Sequence, residues 1–441
     1  MFVAHRTPEV KIHAGSAENT RGGRLVYLDA LRGLLLVVMA INHIPNDLHV
    51  ITDHPFGYMS AAEGFVFLSG LMAGLVYSRR LARGGVGDLH RSCWARARTV
   101  YFFHLVGYIG VFALVTAHRA WTGGMLPNTP LQMATHPLRA LFIGPLLLSQ
   151  PSLLDILPFY CGFMLLCPVL IRAYEAGQRR RVLAVSFLVW AAVNWLSPQQ
   201  PLLNTPTFNS GAFNIFAWQI LFVVGTAFGH AWARGERLVV NSSRSVLVPI
   251  LAVAVLFFAI RHAWIPSGLS SDTLSWLTNK NNLAPLRLFN TALIFWLLHS
   301  LIVRYPRALS WRPLALLGRE SLPAFTIHVL IAYAITAYPQ FFDRTPASRL
   351  LGTCTLLGAM TLTALAASRW RLAQAARENS APAKSGLASR DGPALAGQWQ
   401  TNDWPNRSAS SSRWINSKKY SGRPSSLKAV AAKMTPSIPG T

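Results

Sequence analysis

Long apolar stretches alternate along this chain with short polar ones that are rich in arginine. The apolar runs cover 28–45, 60–80, 99–118, 151–172, 182–197, 212–232, 245–263, 283–303, 313–337 and 349–368. Their lengths approach the roughly 20 residues an α-helix needs to cross the hydrocarbon core of a bilayer. The pattern predicts an all-α, polytopic integral membrane protein with about ten transmembrane helices, because in lipid a helix satisfies its own backbone. The apolar segment 137–149 is shorter and bounded by prolines, which suits an interfacial or re-entrant helix.

The polar connections set an orientation. The first carries no Lys or Arg, whereas the second carries Arg79, Arg80, Arg83, Arg91, Arg96 and Arg98. Arg172 with Arg179 to Arg181, then Arg234, Arg237 and Arg244, then Arg304, Arg307 and Arg312 also fall in even-numbered connections. Odd ones hold only scattered cases such as Arg119, Arg139, Lys280 and Arg344. Basic loops stay in the cytoplasm during insertion, so both termini are expected there. The organisation predicted is a polar, disordered N-terminus over 1–24, a transmembrane region over 25–370, and a basic Ser-, Ala- and Pro-rich disordered tail over 371–441. No small-residue cleavage site follows the first apolar run, which therefore reads as a retained span and not a removed signal peptide.

Composition agrees, with 52% hydrophobic and 13% charged residues. The net charge of +25 would fit a nucleic-acid binder, but twelve of the Lys and Arg residues lie from Arg369 onward. Most others line cytoplasmic loops, where anionic lipid headgroups account for them, and no recognition fold accompanies the charge. Membrane lipids, not nucleic acids, are the partners expected. Cys93, Cys161, Cys167 and Cys354 show no CxxC pairing, so neither a disulfide nor a metal framework is implied. The absence of a P-loop argues against an ATP-driven pump.

Costly residues inside the apolar runs are the candidates for chemistry. Arg32 and His43 are eleven residues apart in the first run, which returns them to within about 20° of one helix face at an axial separation of about 16 Å. The topology puts Asp29 and Arg32 near the cytoplasm and His43, Glu63, Asp155 and Arg287 at the outer level, with His328 at a depth like that of His43. Each has a plainer reading. Asp29 with Arg32, and Arg319 with Glu320, suit mutual neutralisation. Asp155 suits an acid at a helix N-terminus, and His328 an interhelical hydrogen bond. Gly64, Gly70 and Gly74 suit close helix packing. Ser69 has no GxSxG elbow and is not assigned a covalent role. Charges at two levels fit either an enzyme or a transporter, although no internal repeat or matched pair of broken helices is visible.

Several segments together resemble the OpgC family. They are Leu28-Asp29-Ala30-Leu31-Arg32-Gly33, the Arg32 to His43 spacing, Glu63-Gly64-Phe65-Val66-Phe67-Leu68-Ser69-Gly70, and Leu75-Val76-Tyr77-Ser78-Arg79-Arg80. Ala95-Arg96-Ala97-Arg98-Thr99-Val100-Tyr101, Asp155 to Tyr160 and Leu317 to His328 agree. The resemblance runs over about 25–370 and leaves out the tail. It implies a succinyltransferase of osmoregulated periplasmic glucans, related to the acyltransferase-3 group and set in a bacterial inner membrane. Acyl-CoA, succinyl-CoA in particular, would be the co-substrate with no bound cofactor, and a glucan hydroxyl the acceptor. The Arg-x10-His motif of that group maps onto Arg32 and His43. Its glutamate before a Phe-Tyr pair has no match in register, since Asp155 lies one residue farther from Phe159 and Tyr160.

The chemistry needs a base to take the hydroxyl proton as the thioester is attacked, and histidine suits that at neutral pH. His43 is the expected base, with Glu63 orienting its imidazole. Arg32 is too far away to share the oxyanion and is expected to bind the donor, with Arg79, Arg80, Arg96 and Arg98 available for CoA phosphates or, equally, for lipid headgroups. A succinyl carboxylate calls for a cation at the outer level, for which Arg287 is the candidate.

Overall fold

Each apolar run expected to span falls on a helix, and the described residues form no strand, only isolated bridge positions such as the pair Phe56 and Met59. The computed structural model describes residues 26–126, 129–130, 133, 135–196, 211–236, 243–305 and 310–380, all within the unit Leu25–Trp399. The helices are α1 Val26–Ile41, α2 His49–Thr52, α3 Ala61–Thr122, α4 Pro137–Ile143, α5 Ile156–Glu175, α6 Arg179–Leu196 and α7 Ile215–Ala233. Then come α8 Arg244–Arg261, α9 Ser271–Thr278, α10 Pro285–Arg304, α11 Arg312–Arg319, α12 Ser321–Ala337, α13 Pro339–Phe342 and α14 Pro346–Ser380.

Six of these, α3, α5, α7, α8, α10 and α14, are long and apolar enough to cross a membrane, and the bent pair α11 and α12 makes a seventh if taken as one span. The count differs from the expected ten for identifiable reasons. One element, α3, covers two expected spans and the basic connection between them. Its 62 residues are interrupted only at Gly85, whose φ of 71° and ψ of −168° are open to glycine and strained for other residues. The chain doubles back there: Arg80 Nη1 lies 3.8 Å from Asp88 Oδ2, and Tyr77 is within electrostatic reach of Cys93. No proline interrupts 81–98, so the connection continues as helix instead of forming a loop. At 16 residues α1 is only about 24 Å long, and α6 opens on three arginines.

Glycines let the central helices touch backbone to backbone. A Cβ at Gly70 or Gly74 of α3 would strike the carbonyls of Phe222 and Thr226 on α7, while one at Gly225 or Gly229 would strike those of Phe67 and Leu71 on α3. The predicted packing role of Gly70 and Gly74 is met, and α7 returns it with its own pair. A second such crossing joins α1 to α11, where Gly33 faces the Leu314 carbonyl and Gly318 faces that of Asp29.

The bend of 87° between α11 and α12 falls at Glu320, a buried carboxylate paired with Arg319 Nε at 3.3 Å and with Arg371 of α14. The Arg319–Glu320 pairing expected from sequence is present, with Arg371 as an added partner. That contact lies just past the expected boundary at 370. α14 continues to Ser380, into the segment expected to be disordered, over Ala-rich sequence that favours helix. The expected disorder of 1–24 and of the tail past 380 lies outside the described residues. At the periphery, α8 exposes Val248, Leu251 and Val255, as a lipid-facing helix should, and α4 exposes Leu138 and Phe142, in keeping with an interfacial helix.

Gly225→Leu should disrupt the α3–α7 crossing and lower the thermal stability of the detergent-solubilised protein by at least the ~1–3 kcal/mol typical of overpacking. Gly358→Ala, on α14 with nothing within 4 Å of the added Cβ, should leave stability unchanged or slightly raised. Equal melting temperatures for the two variants would refute the interlock.

Candidate active site

Two side-chain hydrogen bonds join α1 to α12. Arg32 Nη2 donates to Ser321 Oγ at 2.8 Å, and just beyond α1 His43 Nδ1 lies 2.8 Å from His328 Nε2. Arg32 on α1 and His43 just past its end therefore meet two residues of α12, at two levels. The end of α1 tightens as it delivers His43: the N–H groups of His43 and Ile44 reach the carbonyls of Ala40 and Ile41 three residues back, at 3.1 and 3.3 Å. His43 thus sits on a 3₁₀-like turn, and the ideal helical phase shared with Arg32 ends at Ile41.

The hydrogen-bond chain fixes where the protons are. His328 Nδ1 lies 3.0 Å from the Phe325 carbonyl oxygen, which can only accept, so Nδ1 carries the hydrogen. In the neutral ring His328 Nε2 is then an acceptor, and His43 Nδ1 must donate to it. The lone pair of His43 is left on Nε2, on a half-buried side chain.

Glu63 is not the group that orients His43. Its carboxylate caps its own helix, accepting from Ser60 N at 3.0 Å and Ser60 Oγ at 2.5 Å, and accepts from Arg287 Nη1 at 2.5 Å. A carboxylate three residues into a helix reaches the N-cap amide more readily than a neighbouring helix, and α10 supplies the counter-charge. Arg287 also donates from Nε to the Thr278 carbonyl at 3.2 Å and faces His54 Nε2 with Nη2 at 3.3 Å. Both members of the ion pair are buried, Glu63 completely. Arg287, foreseen as a contact for an acyl carboxylate, is thereby engaged by Glu63, the Thr278 carbonyl and His54.

Asp155 precedes α5, and its Oδ2 accepts from Ala212 N at 2.8 Å, tying α5 to the lead-in of α7. Lys280 lies within electrostatic reach of Asp155, Glu63 and His43, which draws these residues into one polar level with the histidine pair. Sequence reasoning had left Lys280 among the scattered charges. The available signal was the run Asn279-Lys280-Asn281-Asn282 ahead of an apolar span, a composition typical of ordered turns. Ser321 and the Phe325 carbonyl were also missed, since nothing local marks a hydroxyl or carbonyl as a partner across helices.

At the other level, Arg96 lies within electrostatic reach of Arg32, Tyr77 and Tyr160. Arg32 Cζ stands 5.6 Å from the Phe65 ring centroid, and its Nε is buried with no hydrogen-bond partner among the described residues. Asp29 is buried on the same helix, yet the partner the structure gives Arg32 is Ser321. Arg79 and Arg80 are half-buried on the first arm of α3, whereas Arg98 is exposed. Of the expected donor-binding arginines, the structure brings Arg32 and Arg96 together and turns Arg98 outward. No group of three His, Cys, Asp or Glu suited to a metal ion occurs among the described residues.

A family model described as OpgC protein matches residues 24–372. The chain belongs to the OpgC family. The matched stretch contains both levels of the site and ends just past Arg371, so the OpgC region takes in the Glu320–Arg371 contact and stops short of most of the tail. No curated protein and no solved structure matches the chain.

In this OpgC site, Arg287→Met should strand a buried carboxylate and cost ~3–5 kcal/mol, read as a fall in melting temperature and folded yield. Adding Glu63→Gln should recover most of the loss. A double variant as unstable as the single one would show that the pair is not coupled as described.

Proposed function

We propose that the protein is a membrane O-acyltransferase of a bacterial inner membrane that moves a succinyl group from cytoplasmic succinyl-CoA to hydroxyls of a periplasmic glucan. The observation carrying this reading is the His43–His328–Phe325 chain, which leaves a basic lone pair on His43 Nε2. Family membership supports the substrate class. In the proposed reaction His43 Nε2 removes the proton of a glucan hydroxyl as its oxygen adds to the thioester carbonyl. The tetrahedral intermediate then collapses, expelling the CoA thiolate, which takes the proton back from His43 and leaves as the thiol. His328 accepts from His43 Nδ1 throughout, holding the ring and stabilising the imidazolium formed midway, as a carboxylate does in a triad.

Arg32 stands about 16 Å back along α1, the reach of an extended donor and not of one reacting centre. We assign Arg32 and Arg96 to the donor's polar and anionic portions, with the unpartnered Arg32 Nε as a free hydrogen-bond donor. Arg79 and Arg80 are assigned to the CoA phosphates. Arg98 is left to lipid headgroups. Glu63 acts indirectly, by fixing Arg287 and the entry to α3, and Asp155 by tying α5 to the lead-in of α7.

Purified protein given succinyl-CoA and glucan should produce succinylated glucan. His43→Ala should lower the rate by the ~10²–10⁴-fold expected of a lost general base, with folded yield intact. Full activity in that variant would remove His43 from the mechanism. Mass spectrometry of periplasmic glucans from a deletion strain should find them unsubstituted at unchanged abundance, whereas their loss from the periplasm would make the protein an exporter.

A further inference from the structure

Among the described residues, Arg287, Arg261 and Lys280 are cations around the polar level of His43, and the first two are paired. Arg287 is closed by Glu63 at 2.5 Å, and Arg261 lies 3.6 Å from Asp53 Oδ2 and 3.1 Å from His54 Nδ1. Lys280 differs: among the described residues no carboxylate lies within 4 Å of its ammonium, which stands 5.6 Å from the centroid of the Phe213 ring. The nearest acids are already engaged elsewhere, Glu63 by Arg287 and Asp155 by the Ala212 amide.

The loop presenting Lys280 is braced through its backbone. Trp218 Nε1 donates to the carbonyls of Lys280 and Asn281, both at 3.1 Å. Asn214 N donates to the Asn281 carbonyl at 2.9 Å, and Asn194 Nδ2 donates to that of Asn282 at 3.0 Å. Phe213 is itself fixed edge-on to Trp218, with centroids 4.6 Å apart. The lysine stem is thus the free part of a rigid support. Its side chain is open to solvent, yet the surrounding protein holds its ammonium below the usual lysine range, with Glu63 opposing that shift and Arg287 adding to it. An accessible, partly desolvated cation with no ion pair, within electrostatic reach of the proposed base, calls for an anionic group on the reacting molecule.

Resting on the acyl-transfer reading above, we propose that Lys280 is the specificity-determining residue that receives the free carboxylate of a dicarboxylic acyl donor, selecting succinyl over neutral acyl groups of similar reach. The thioester carbonyl would then lie at His43 while the distal carboxylate lies against Lys280, and the transfer step itself is unchanged. The chemistry is that of a carboxylate. It belongs to the donor, since a neutral glucan offers none.

The test measures kcat/KM with succinyl-CoA and with acetyl-CoA on one neutral glucan acceptor, using full-length protein. Lys280→Met should lower the succinyl-to-acetyl ratio by at least about tenfold, the scale of one charge-assisted hydrogen bond, chiefly through KM for succinyl-CoA. Lys280→Arg should keep most of the ratio, which a merely structural lysine has no reason to govern. An unchanged ratio, whether both donors stay active or fall together, overturns the assignment while leaving the transferase reading standing. A wild-type protein that transfers neither group overturns that reading, and this one with it.

Discussion

The level of the site that holds His43 depends on a buried charge pair. Glu63 and Arg287 sit where water does not reach, and removing two charges from water costs several kcal/mol per ion unless geometry and further hydrogen bonds offset it. The offset is visible in the partners. Ser60 gives Glu63 two more donors, and Arg287 spends its other nitrogens on the Thr278 carbonyl and His54. Through these bonds one interaction fixes the start of α3, the approach to it, the end of α9 and the start of α10. The braced loop carrying Lys280 lies between the last two.

Much of this was legible in the residues, and what was not has a common physical cause. Helix positions followed from apolar periodicity, because a bilayer leaves the backbone few alternatives. Arg32, His43, Glu63, Asp155, Arg287 and His328 stood out because an ionisable residue in an apolar run is expensive. Partnerships were harder. Sequence places a residue at a depth but not at an azimuth, so Glu63 and His43 could share a level without sharing a bond. His328 lies 285 positions from His43 and yet is its partner. The doubling back at Gly85 was hidden for a related reason: a polar connection that remains helical looks like a loop when only hydropathy is read.

Close backbone packing then decides how accurately such distant partners meet. The reciprocal glycines of α3 and α7 set that pair's separation by carbonyl contact, and Gly33 with Gly318 does the same for α1 and α11. Since α11 leads into α12 through the bend at Glu320, the α1–α11 crossing also sets the height at which α12 passes α1. Ser321 is thereby delivered to Arg32, and His328, two turns further along, to His43. Glu320 holds that bend from the other side by gripping α14 through Arg371.

The choice of partner for His43 follows from the same electrostatics. A fixed carboxylate against an imidazole in a poorly solvated site favours the imidazolium, and a base that already holds its proton cannot take another. A neutral histidine can orient the ring and select its tautomer without adding a charge, while still accepting from it once the proton has arrived. Glu63, engaged by Arg287 and Ser60, makes no hydrogen bond to His43 among the described residues. The pairing of an acid with an arginine in one place and a histidine with a histidine in the next is one arrangement seen from two sides. It keeps the charges that hold the site together off the atom proposed to do the chemistry.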